Sequence, residues 1–169
     1  MLPDPLHPAV VHFPIVLATL LPLVALLGLL AVSRGTAPRK AWAYITLASF
    51  LVFAAAFVAV RTGGNEEDVV EKVVSEDTIE EHEEAGERLQ LLAGIGVLVF
   101  AAGLSGGGVG RIARPVALVA SLAIAGQGYL TGKSGGEMVY EHGAASAYVD
   151  STGAAVSAEG PGARRGDDD

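Results

Sequence analysis

Four stretches of this chain hold no charged side chain: Phe13–Ser33, Ala41–Val60, Leu89–Gly110 and Pro115–Gly132. A helix rises about 1.5 Å per residue, so roughly 20 apolar residues cross the ~30 Å hydrocarbon layer. The first two stretches have that length. The third is strongly apolar only over Leu89–Leu104, and the fourth is short and rich in small residues, which let membrane helices pack closely. A water-soluble core would show apolar residues at helical spacing instead of unbroken runs. The expected fold is therefore all-α: a polytopic membrane four-helix bundle with spans at about 13–33, 41–60, 89–108 and 115–132. Residues 1–143 read as one membrane domain and 144–169 as a flexible polar tail of Gly, Ala, Ser and Asp.

Charge divides the connections into two kinds. Arg34–Lys40 and Arg111–Arg114 carry only basic charge, whereas all 19 acidic residues lie in the lead, in Arg61–Arg88 or after Lys133. Basic connections face the cytoplasm. The expected location is the plasma membrane, multi-pass, with both termini outside. Trp42 and Tyr44 are then expected as aromatic anchors at the inner interface, and Phe13 and Tyr129 at the outer one. The lead MLPDPLHPAVVH has no Lys or Arg and contains Asp4, so the first run reads as a retained span, not a secretory signal.

Within span one, Pro22 is expected to kink the helix. The acidic segment Asn65–Arg88 is expected to be helical, with Val69, Val70, Val73 and Val74 as its apolar stripe and Ser75 or Asp77 as a cap. Its carboxylates lack the spacing of an oxygen-ligand calcium loop and read as a solvated surface. A weak repeat links Thr62–Val70 with Thr131–Val139, which suggests two helix hairpins in parallel arrangement. That register brings His82 close to the position of His12.

The topology places His7, His12, His82 and His142 at one membrane face. Neutral imidazole ligates Zn, Cu and haem iron, and bundles build such sites from facing helices. His12 and His82, which open spans one and three, are the first-choice ligand pair, with His7 and His142 as a second pair or as supporting partners. The glycines on the helix faces offer room for a flat ring. With no cysteine, thiolate sites and c-type haem attachment are excluded. No phosphate loop, dinucleotide fingerprint or nucleophile elbow is present. Acidic composition argues against nucleic acid as a partner, and nothing identifies an enzyme substrate.

Leu6–Ile15, L-H-P-A-V-V-H-F-P-I, resembles the N-terminal signature of the predicted membrane protein family DUF2231. Gly128–Gly143, G-Y-L-T-G-K-S-G-G-E-M-V-Y-E-H-G, resembles its closing G-G-x-L-V-Y-x-H-G motif, with Met138 in place of Leu. His82 resembles the histidine that opens the family's third span. The resemblance implies a four-span domain in which His7, His12, His82 and His142 are the motif histidines. It also implies redox chemistry, through the family's association with cytochrome c-like and Rieske-like modules. Arg61–Arg88 is longer and more acidic than the usual link. The leading functional expectation is a b-type haem protein for electron transfer with a redox partner at the outer face. A Zn or Cu site without haem is the alternative, and a structural or partner-binding subunit is the third.

Overall fold

The computed structural model describes residues 5–149. Six helices follow in order: α1 (His7–Val10), α2 (His12–Ser33), α3 (Pro38–Gly64), α4 (Glu67–Val70), α5 (Glu76–Ala102) and α6 (Gly107–Tyr140), then a 3-10 turn (Ala144–Tyr148). Four helical segments are long and apolar enough to cross a membrane: His7–Ser33, Pro38–Gly64, Glu76–Ala102 and Gly107–Tyr140. The protein is an all-α membrane bundle. α2 runs unbroken through Pro22.

Three of these helices extend well beyond the apolar runs at the histidine-bearing end. Outside the hydrocarbon layer charge does not stop a helix, because Glu, Lys and Arg are good helix formers. Arg88–Glu84 and Lys133–Glu137 pair across one turn there. Between α4 and α5 the chain breaks at Glu71–Ser75, and Ser75 caps α5 through its extended backbone. Its hydroxyl bonds to that of Thr78 at 2.9 Å.

At the opposite end the third span stops sooner than expected. α5 ends at Ala102, and α6 begins at Gly107, whose φ of 62° lies in the left-handed region. Such backbone favours glycine, so the run Gly106–Gly108 turns the chain. Arg111 and Arg114 consequently sit in the first turns of α6, not in a loop. An uncharged run says nothing about backbone continuity.

The helices pack in the ring order α2, α3, α5, α6, with α2 opposite α5 and α3 opposite α6. The core comprises one cluster from all four, including Ala18, Leu21, Trp42, Val52, Ala93, Phe100 and Ile124. Large apolar side chains such as Leu91, Leu98, Ile112 and Val119 face outward, which is the pattern of a bundle solvated by lipid. Trp42 is no interfacial anchor. It is fully buried, stacked on Phe100 with ring centres 6.3 Å apart. Tyr44, Phe13 and Tyr129 are exposed.

The buried positions reveal two equivalent halves. At one constant spacing, Pro14, Ala18, Leu21, Ala25 and Gly28 of α2 correspond to Leu89, Ala93, Gly96, Phe100 and Gly103 along α5, all buried. At a second spacing, Ile45, Ser49, Val52 and Ala56 of α3 correspond to Ala117, Ser121, Ile124 and Gly128 of α6. Ser49 and Ser121 make the same bond, each donating to the carbonyl three residues back, Thr46 and Leu118. The hairpins α2–α3 and α5–α6 thus pack as a parallel pair about an axis along the bundle.

Candidate functional site

The spacing that maps α2 onto α5 also maps His7 onto His82. The two rings meet where the halves converge, at the acidic end, with centres 6.2 Å apart and planes at 77°. Both are half-buried. His12 is exposed at the start of α2, and His142 is exposed after α6. The expected pairing of His12 with His82 is therefore not the one the fold makes. Five residues turn a helix by roughly 140° from its starting face, so His7 and His12 leave the α1–α2 segment in different directions.

Each ring is fixed by the other helix of its own hairpin. His7 Nδ1 lies 2.9 Å from the Ala59 carbonyl and 3.2 Å from Thr62 Oγ1. A carbonyl only accepts, so Nδ1 carries the proton. Thr62 Oγ1 itself donates to Ala59 O. In the second half His82 Nδ1 lies 2.8 Å from Ser134 Oγ, and that hydroxyl already donates to Thr131 O. With its proton on Thr131 O, Ser134 Oγ accepts from His82 Nδ1–H. The Ala59 carbonyl makes neutral His7 the Nδ1–H tautomer, and the same tautomer in His82 leaves both Nε2 lone pairs bare. Neither Nε2 has a hydrogen-bond partner among the described residues.

Glycine provides the seats. A Cβ added to Gly63 would lie 3.2 Å from His7 Cε1, and one added to Gly135 would lie 2.9 Å from His82 Cε1. Thr62-Gly63-Gly64 and Ser134-Gly135-Gly136 are thus the same device used twice: a hydroxyl to orient the ring and a glycine to admit it. The glycines do make room for a flat ring, but the ring is the imidazole. Just inside the pair, Gln127 and Thr131 of α6 both donate to the Ala85 carbonyl of α5, at 3.1 and 2.9 Å.

A strap closes over this end. Glu66 Oε1 accepts the His7 backbone N–H at 2.8 Å, and Glu66 Oε2 accepts from the Tyr148 hydroxyl at 2.9 Å. Ala144 packs on Val74 and Ile79, with Val70 and Met138 beside them. Residues 144–148 of the expected flexible tail are therefore a packed turn, and residues 150–169 lie outside the described ones. No group of three or more His, Asp or Glu poised for a metal occurs among the described residues; the candidate site is the imidazole pair.

Residues 3–147 match the family described as predicted membrane protein (DUF2231). The chain belongs to this family. No curated protein and no solved structure matches the chain. The DUF2231 match takes in all four long helices, both ring-orienting hydroxyls and most of the strap.

Sequence reasoning named His7 and His82 but missed Thr62, Ser134, Glu66 and Tyr148. The signal for the first two was present as the repeated hydroxyl-Gly-Gly triplet. The alignment of Thr62-Gly63 with Thr131-Gly132 concealed it, because that register is three residues off.

Proposed function

We propose that this protein is an integral membrane metal-binding protein in which His7 and His82 hold one copper ion through Nε2. The observation that carries this reading is the pair of Nδ1 anchors, the Ala59 carbonyl for His7 and the Ser134 hydroxyl for His82. A ligating histidine usually donates its other ring N–H to a carbonyl, carboxylate or other acceptor, which fixes the tautomer and aims the free nitrogen. Here that arrangement is built twice, symmetrically, on facing elements. Two imidazoles on opposite sides of a metal, at about 2 Å from each nitrogen, have ring centres roughly 6 Å apart; the rings here lie 6.2 Å apart. Imidazole suits Cu, Zn, Fe and Ni. Structural zinc asks for four ligands, so a two-imidazole set favours copper.

Haem through the same histidines is the alternative reading, although Gly63 and Gly135, which offered room for a flat ring, face the imidazoles themselves. Electron transfer remains the role a redox metal would have at this position. By the positive-inside rule this end faces outward across the plasma membrane, where a soluble redox partner could reach it.

The test is metal analysis and copper titration of the purified full-length protein. One equivalent of copper is expected, lost in His7→Ala and in His82→Ala and retained in His12→Ala and His142→Ala. Iron at stoichiometry with a Soret band would return the reading to haem. Copper binding unaltered in the His7 and His82 variants would overturn the site.

A further inference from the structure

The end of the bundle opposite the histidines holds a second candidate site. Pro38 and Arg39 at the start of α3, the turn Leu104–Gly107, and Arg111 and Arg114 of α6 line an open cleft of about 500 Å³. Three arginines thus line one cleft, and the connections at this end carry no carboxylate. Arg39 and Arg111 have no hydrogen-bond or ion-pair partner among the described residues.

Arg114 is held in place. Its Nε donates to Gly103 O at 2.9 Å and its Nη2 to Ser105 O at 3.0 Å, and its Cζ lies 6.0 Å from the centre of the Trp42 ring. Those bonds use two of five donors and leave the rest of a fixed fork available. The α6 N-terminus adds to this. Its cap, Gly106, has no side chain to satisfy the first-turn amides, and both Gly106 and Gly107 line the cleft.

We propose that this cleft binds a phosphate-bearing anion. The guanidinium fork matches phosphate oxygens two at a time, and helix N-terminal amides favour the same ligand. The surroundings favour a lipid headgroup as the source. Leu104 and Pro38 give the cleft an apolar wall, and Ile112 and Val116 on the same stretch of α6 are exposed along the lipid-facing surface. An acyl chain could continue along that surface while its headgroup phosphate lies among the arginines. Basic pockets between spans hold anionic headgroups in this manner. The site is independent of the histidine pair.

Native mass spectrometry of the full-length protein, loaded separately with phosphatidylglycerol, phosphatidylcholine and inorganic phosphate, tests the proposal. Preferential retention of phosphatidylglycerol is expected, reduced roughly tenfold or more in Arg39→Gln/Arg111→Gln, given the usual strength of a basic side chain beside an anionic lipid. The control Arg34→Gln/Lys40→Gln removes the same charge from the same end but touches no cleft residue, and should retain the lipid. Phosphate binding alone, sensitive to the Arg39/Arg111 pair, would uphold the site with a free anion as its ligand. Equal loss in both double variants, or binding of none of the three probes, would overturn it. Circular dichroism of each variant confirms that the comparison is between folded proteins.

Discussion

At the residue scale, the decisive atoms are two hydroxyls and two glycines rather than the imidazoles themselves. Ser134 Oγ lies 2.8 Å from His82 Nδ1, so at the proposed copper site Ser134→Ala should weaken binding about tenfold, within the range for lost supporting partners of metal ligands. Ser134→Thr should keep it. A competition titration reads both, and an unchanged affinity in the alanine variant would show that the hydroxyl does not orient the ring. The two halves are not equally buffered at this level. His7 has a carbonyl as well as Thr62 Oγ1 at its Nδ1, whereas Ser134 is the one acceptor of His82 among the described residues.

At the element scale, the two halves use glycine to bring helices together at corresponding positions, with different neighbours. A Cβ on Gly28 would meet Ile45 Cδ1 at 1.9 Å, the tip of a flexible side chain. On Gly103 it would meet Trp42 Nε1 at 2.0 Å, part of a rigid and fully buried indole. That indole nitrogen is also the one buried side-chain polar atom without a hydrogen-bond partner among the described residues. Overpacking a close-packed site costs about 1–3 kcal/mol. Gly103→Ala should fall in that range and Gly28→Ala below it, as measured by unfolding in detergent. The reverse order would mean that the indole has more freedom than its packing implies. Trp42 also explains why hydropathy misread the basic end. Its ring is drawn inward by Phe100 and covered by Arg114, so an aromatic residue near a span end became core.

At the scale of the whole molecule, the bundle is two hairpins joined by one segment, Asn65–Ser75. Each hairpin closes its own turn at the basic end, and the contacts between hairpins run along α2 with α6 and α3 with α5. Covalent continuity through the joining segment should be dispensable once the bundle has formed. Cleavage at the exposed Lys72 is expected to leave two fragments that co-purify and still bind one copper ion. Fragments that separate in mild detergent would show that the segment holds the halves together. The same symmetry gives the proposed site its logic. One ligand comes from each half, near the axis, so neither hairpin carries the site alone.

The sequence by itself determined the class of fold. Unbroken apolar runs leave the chain no way to satisfy its backbone in lipid except as helices, and the basic turns marked which ends lie together. It also supplied all four candidate histidines. It did not determine which two meet. That depends on the direction in which each side chain leaves its helix and on a register between halves only a few identities long, and both are set by packing. The tertiary structure selected His7 over His12, turned the glycines into seats for imidazole rings, buried Trp42, and gathered Arg39, Arg111 and Arg114 around one cleft. Hydropathy records how far a segment prefers lipid. It holds no information about the neighbour each face will meet, and at both ends of this bundle that neighbour is set by packing.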